Sequence, residues 1–161
     1  MNNRNIEIAL ECFVKKDGKY LMLKRSADKK ILPNVWMAPG GKLDFNEGLF
    51  ACARREMKEE TGLDISNIRV LCFGFGHLED LNLELFFFIL EADYAGGELV
   101  EHCPEGELQW LTLEEILSLD NLLAELKVTL PKVLINREPV FSYTCVYDKG
   151  NQLKELKFDQ P

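Results

Sequence analysis

Residues 39–63 read Pro-Gly-Gly-Lys-Leu-Asp-Phe-Asn-Glu-Gly-Leu-Phe-Ala-Cys-Ala-Arg-Arg-Glu-Met-Lys-Glu-Glu-Thr-Gly-Leu. The pattern predicts two glycines in a tight bend, a short loop, one helix and a glycine stop. Gly48 is an acceptable N-cap, though weaker than Ser or Asp. Gly62 stands where a helix ends in a left-handed residue. Between them, residues 49–61 are good helix formers without a proline.

On a helical wheel, Phe50, Ala53 and Met57 share one apolar sector. Glu56, Glu59 and Glu60 share the neighbouring sector. Arg55 lies one turn before Glu59 and can pair with it. Arg54 and Lys58 point to solvent. Like charges one turn apart each cost a helix roughly 0.2–0.5 kcal/mol, and partial burial raises that cost. A bound hard cation removes the repulsion. Magnesium and manganese favour such carboxylate oxygens together with substrate phosphates. A solvated acidic face is the bland alternative.

The spacing speaks against that alternative. Gly41, five residues, Glu47, seven residues, Arg55-Glu56, two residues, Glu59-Glu60, one residue, Gly62 reproduces the Nudix box, with Met57 and Leu63 in its aliphatic positions. At average residue usage the seven fixed positions match by chance at roughly a few in 10⁹ start positions. The chain therefore resembles the Nudix hydrolases, in particular their MutT-like branch.

The formal charge of −8 argues against a nucleic-acid or membrane-surface binder held by a general basic field. A local metal and a few cations can still handle nucleotide phosphates. Five scattered cysteines without a CxxC pair fit reduced thiols and a cytoplasmic location. His77 and His102 are too few for a zinc site. No signal peptide is expected, and the apolar run 85–90 is too short to span a bilayer. A length of 161 residues is that of one ordinary domain, residues 1–161, with a real core.

Outward from the box, residues 6–14 and 20–24 read as a hairpin around Lys16-Asp17-Gly18-Lys19. Residues 25–30 form a basic loop, in which Arg25 is best placed to steer phosphate. Trp36 reads as a core or pocket-wall residue. Residues 68–76 and 83–92 read as strands, the second continuously apolar as a buried strand should be. Residues 98–107 read as an acidic loop and 108–111 as a short strand. Thr112 to Glu115 resembles a capping box. Residues 122–136 carry a helical pattern that Pro131 starts or kinks. Residues 140–147 and 153–158 read as a final hairpin. The expected fold is α/β, an α/β/α sandwich with a mixed sheet, which is also the Nudix fold.

The resemblance implies roles residue by residue. Glu56, Glu59 and Glu60, with the Gly40 carbonyl, would bind Mg²⁺ or Mn²⁺. Glu59 would double as the base that activates water. Arg55 would hold a box carboxylate, and Glu47 would orient Arg55. Glu105, with Glu101 behind it, is the candidate for a further carboxylate. The implied reaction is hydrolysis of a nucleoside diphosphate linked to another group. A nucleoside triphosphate would give the monophosphate and pyrophosphate, with 8-oxo-dGTP the leading substrate. One departure weakens that substrate. Some members of this branch carry a tryptophan and two adjacent aspartates where this chain has Leu122, Ala124 and Glu125. Glu125 could accept hydrogen bonds from a purine edge. An ADP-ribose or nucleotide-sugar pyrophosphatase, and a non-catalytic nucleotide-binding regulator, remain alternatives. Oligomeric state is open.

Overall fold

The computed structural model describes residues 5–159. Strands β1 (Ile6–Lys16) and β2 (Lys19–Arg25) meet at Asp17 and Gly18, whose φ values of 49° and 76° are both positive. That is the turn geometry that matches strand twist, and Asp-Gly favours it. The hairpin is short, since register pairing holds only for Lys15 with Tyr20 and Lys16 with Lys19. Beyond it the two strands find other partners. β2 pairs antiparallel with β3 (Trp36–Met37) and β7 (Gly106–Leu111), while β1 pairs antiparallel with β4 (Gly40–Lys42) and parallel with β6 (Leu83–Gly97). β5 (Leu63–Leu78) lies antiparallel to β6 and parallel to β8 (Phe141–Tyr147), which closes a hairpin with β9 (Leu153–Asp159). The described residues thus form one mixed sheet with the path β3-β2-β1-β6-β5-β8-β9.

Alternation along β1 divides the core. Leu10, Cys12 and Val14 pack with Cys52, Ala53 and Met57 of helix α1 (Leu49–Glu56, continued by a π-helical turn Met57–Thr61). Phe13 packs on the opposite face with Phe87, Ile89, Leu126 and Leu130. That face is covered by α2 (Leu113–Leu117) and α3 (Leu126–Leu130, continued by a π-helical turn Pro131–Ile135). Helices on both faces of a mixed sheet make the expected sandwich. The caps also match. Gly48 is the N-cap of α1, Gly62 ends the helix at φ 78°, and Thr112 and Glu115 close a reciprocal capping box.

Four local expectations are corrected. Gly40 and Gly41 are not in a bend. They form β4, with Gly41 opposite Leu10 and Gly40 opposite Glu11. They are needed for close approach, not for unusual angles: a Cβ on Gly40 would strike the Leu10 carbonyl, and one on Gly41 the Glu56 carboxylate. Phe50 is 45% exposed and is not part of the core face. The inward residues are Cys52, Ala53, Glu56 and Met57, because the bare Gly41 leaves room for the Glu56 carboxylate. The helix read over 122–136 begins only at Leu126. Leu122 and Leu123 instead join Trp36, the Leu123 N–H donating to its carbonyl at 2.9 Å. Pro131 falls where α3 widens into its π turn, as a residue without an N–H favours. β7 starts at Gly106, inside the segment read as loop.

The glycine contacts predict a graded response. Gly40→Ala meets backbone and should cost about 1–3 kcal/mol of stability, the range for overpacking. Gly48→Ala meets nothing within 4 Å and should cost well under half of that. Urea unfolding of the two variants checks the contrast.

Candidate active site

The acidic residues of the helix separate by depth. Glu56 is 9% exposed, Glu60 half-buried, and the Glu59 side chain 60% exposed. Glu59 and Glu60 ride on the π-helical turn, held by Thr61, whose buried hydroxyl donates to the Met57 carbonyl. Such wide turns interrupt α-helices frequently at functional sites.

Arg55 is the hub on the helix side. Its Nε and Nη2 donate to the two oxygens of Glu47, each at 2.8 Å. Its Nη1 donates to Glu56 at 2.8 Å and to Glu59 at 3.2 Å, and Nη2 also reaches the Lys42 carbonyl at 3.1 Å. The paired fork is the geometry guanidinium supplies best. Arg55, with the Asp44 N–H, holds the Glu47 carboxyl down at about 2.

Glu56 and Glu60 flank β4 from the helix. The Glu56 carboxylate lies against Gly41, and Glu60 accepts from the Gly40 N–H at 3.3 Å. Burial, then the charges of Glu56 and Glu105, push Glu60 up to about 8. Burial likewise raises Glu56. Glu105 arrives from the loop before β7, fixed by the Ser26 N–H to its carbonyl at 2.9 Å and by an ion pair with Lys29 at 2.8 Å. Glu101 is exposed.

These carboxyls raise one another's energy, and among the described residues only Arg55 and Lys29 form direct ion pairs with them. A divalent cation fits the chemistry of the donor set, which is all hard oxygen. As they stand, though, Glu56 turns to Arg55 and Glu60 to the Gly40 amide. Among the described residues no three His, Cys, Asp or Glu side chains converge closely enough to hold a metal ion.

A cavity of about 190 Å³ opens on the other side of β4, lined by Glu11, Arg25, Gly40, Phe87, Glu125 and Tyr147 among others. That is below the roughly 300–1,000 Å³ of sites that enclose a whole small molecule, so it suits one part of a ligand whose remainder lies outside. Arg25 lines the cavity, its Nε donating to the Ile31 carbonyl at 3.0 Å. Glu125 is buried and accepts from the Tyr147 hydroxyl; burial raises it to about 7. Sequence reasoning missed Glu11, which is 7% exposed and pushed up to about 8 by burial and then by Glu125. Its signal was available: a lone acid inside the apolar run Ala9-Leu10-Glu11-Cys12-Phe13-Val14.

The raised carboxyls set a pH dependence. Glu11 and Glu60 near 8 and Glu125 near 7 all lie above their ordinary 4.5. Each binds a proton more tightly folded than unfolded. Their contribution to stability is therefore full below about pH 4.5 and is lost as pH rises through 7–8. In chelator, the melting temperature should fall progressively across that window, and Glu60→Gln should flatten the slope. A wild-type slope of the opposite sign would refute the electrostatic picture.

The sequence profile of the NUDIX domain matches residues 8–133. The uncharacterised Nudix hydrolase YvcI of Bacillus subtilis is 32% identical over 111 residues, covering 67% of each chain. The 8-oxo-dGTP diphosphatase of Buchnera aphidicola is 33% identical over 118 residues, covering 72% of this chain and 82% of its own. The crystal structure of the MutT protein from Bacillus halodurans superposes with a TM-score of 0.83 at 26% identity, covering 96% of this chain and 99% of that one. The chain spans only 22% to 38% of several other curated relatives it matches. Among the described residues no helix is long and apolar enough to cross a membrane.

Proposed function

Because the chain belongs to the Nudix hydrolase family, we propose that it is a nucleoside triphosphate pyrophosphohydrolase of MutT type. Its substrate is an 8-oxo-dGTP-like nucleotide, its cation Mg²⁺ or Mn²⁺, and its products the nucleoside monophosphate and pyrophosphate. The observation that carries this reading is the two-sided environment of β4. Acidic groups short of positive partners crowd one side, and a base-sized cavity opens on the other. The Buchnera relative supports the substrate. The five free thiols suit a reducing compartment, and the reading takes the cytoplasm as the site of action.

In this reading the Gly40 carbonyl and the carboxylates of Glu56, Glu59 and Glu60 hold the cation. When bound, it neutralises charge on phosphate oxygens and lowers the pKa of water. Glu59 takes the proton of the attacking water as an oxygen–phosphorus bond forms and the bridging anhydride bond breaks. Phosphoryl transfer depends mainly on positioning and charge. Arg55, fixed by Glu47, supplies the positioning by fastening Glu56 and Glu59. Glu105 adds negative charge beside Glu60. Arg25 meets phosphate near the cavity, and Glu125 accepts from the base.

Incubation with 8-oxo-dGTP, dGTP and ADP-ribose in magnesium, followed by chromatography of the products, tests the reading. Monophosphate and pyrophosphate should form fastest from 8-oxo-dGTP, and chelator should abolish turnover. Preferred cleavage of ADP-ribose, release of orthophosphate, or undiminished turnover in chelator would overturn it.

A further inference from the structure

Two buried carboxylates of this sheet have opposite surroundings. Glu91, 3% exposed on β6, accepts from the Tyr20 hydroxyl at 2.9 Å, from Arg69 Nε at 2.7 Å and from Arg137 Nη1 at 3.0 Å. It is a structural acid with its partners supplied. Glu11, 7% exposed on β1, receives one hydrogen bond among the described residues, from the Ala38 N–H to Oε2 at 3.3 Å. Arg25 lines the same cavity, but its Nε is given to the Ile31 carbonyl. Among the described residues no hydrogen bond reaches Oε1 of Glu11. Glu125, 4% exposed, repeats the pattern: Tyr147 donates to Oε2, and among the described residues no hydrogen bond reaches Oε1. Both residues line the cavity. Each acid therefore has one oxygen without a protein donor on a residue that lines the cavity, and an acid in a sheet interior is costly unless it has a task.

We propose that Glu11 is a specificity-determining residue, and that with Glu125 it reads a ligand edge carrying two adjacent N–H donors, such as the N1–H and 2-amino groups of guanine. This rests on the proposed nucleotide substrate and adds the residue that chooses the base. A carboxyl keeps an acceptor oxygen in either protonation state. With Glu11 ionised, bases that turn a carbonyl to the same place, such as xanthine, meet oxygen with oxygen and bind less well. Sites built to hydrogen-bond a ligand discriminate strongly, because a mismatch leaves buried polar groups unpaired.

Glu11→Gln makes the idea testable by a change of preference. The Ala38 N–H holds the side-chain oxygen, so the new amide NH₂ faces the cavity and presents a donor in place of an acceptor. Binding of deoxyguanosine and deoxyxanthosine monophosphates is measured by calorimetry in chelator at about pH 8.5, where Glu11 is mostly ionised, without hydrolysis. Wild type should favour the guanine nucleotide by roughly tenfold to a hundredfold. Glu11→Gln should lose that ratio and move towards xanthine. Equal binding by wild type, no binding of the guanine nucleotide, or an unchanged ratio in the variant would overturn the proposal. Because the readout needs neither metal nor turnover, it stands apart from any failure of the hydrolysis assay. A shift of ratio is also something that poor folding does not produce.

Discussion

Glu60→Gln should lower kcat by roughly two to three orders of magnitude while making the protein more resistant to heat at pH 8. Both halves follow from one location. The Glu60 carboxylate is half-buried against the Gly40 amide, and burial, then the charges of Glu56 and Glu105, raises it to about 8. An amide removes a charge the folded chain tolerates poorly, so stability rises at high pH. It also removes a ligand of the proposed cation, whose charge stabilisation is worth several kcal/mol, or about a factor of ten for each 1.4 kcal/mol lost. Stopped assays under saturating magnesium, paired with melting curves in chelator, separate the two effects. Full turnover in the variant would remove Glu60 from the site. A loss of heat resistance would show that its charge is compensated in the folded protein.

Arg55→Ala should be the most damaging single change on the helix. One guanidinium serves Glu47, Glu56 and Glu59 and the Lys42 carbonyl. Without it, Glu47 and Glu56, whose side chains are only 14% and 11% exposed, face each other unpaired. Breaking a partly buried pair from one side costs more than the pair itself contributes. The melting temperature should drop by roughly 5–10 °C for a chain of this length. Arg55→Lys should recover part of that, since it restores charge but not the fork. Adding Glu47→Gln to Arg55→Ala should recover part as well, a coupling that a double-mutant cycle measures. A drop below 2 °C would mean that the network is surface decoration.

The helix and its caps were legible because their signals are local. Gly62 ends the helix, Thr112 and Glu115 cap the next one, and the last hairpin follows its turn residues. What eluded the sequence was long-range. Gly40-Gly41 signals a bend by composition, yet becomes a strand because β1 offers it an edge. The first hairpin predicts two strands paired along their length, yet β2 leaves for β7, some ninety residues on in the chain. Phe50 obeys the helical period but meets no opposing layer. Within the site, the box residues could be named from spacing alone. Glu11 stood out only as a lone acid in an apolar run; what it faces depends on a cavity assembled from distant segments.

The alternation along β1 has a consequence for how this enzyme can change. Its odd positions, Ala9 and Glu11, border the cavity, while Cys12 and Val14 pack with the helix behind. In the proposed reading, substrate choice and catalysis thus hang from opposite sides of one ribbon. On that reading, new preferences can be explored by swapping side chains on one side, with little disturbance to the helix packed on the other.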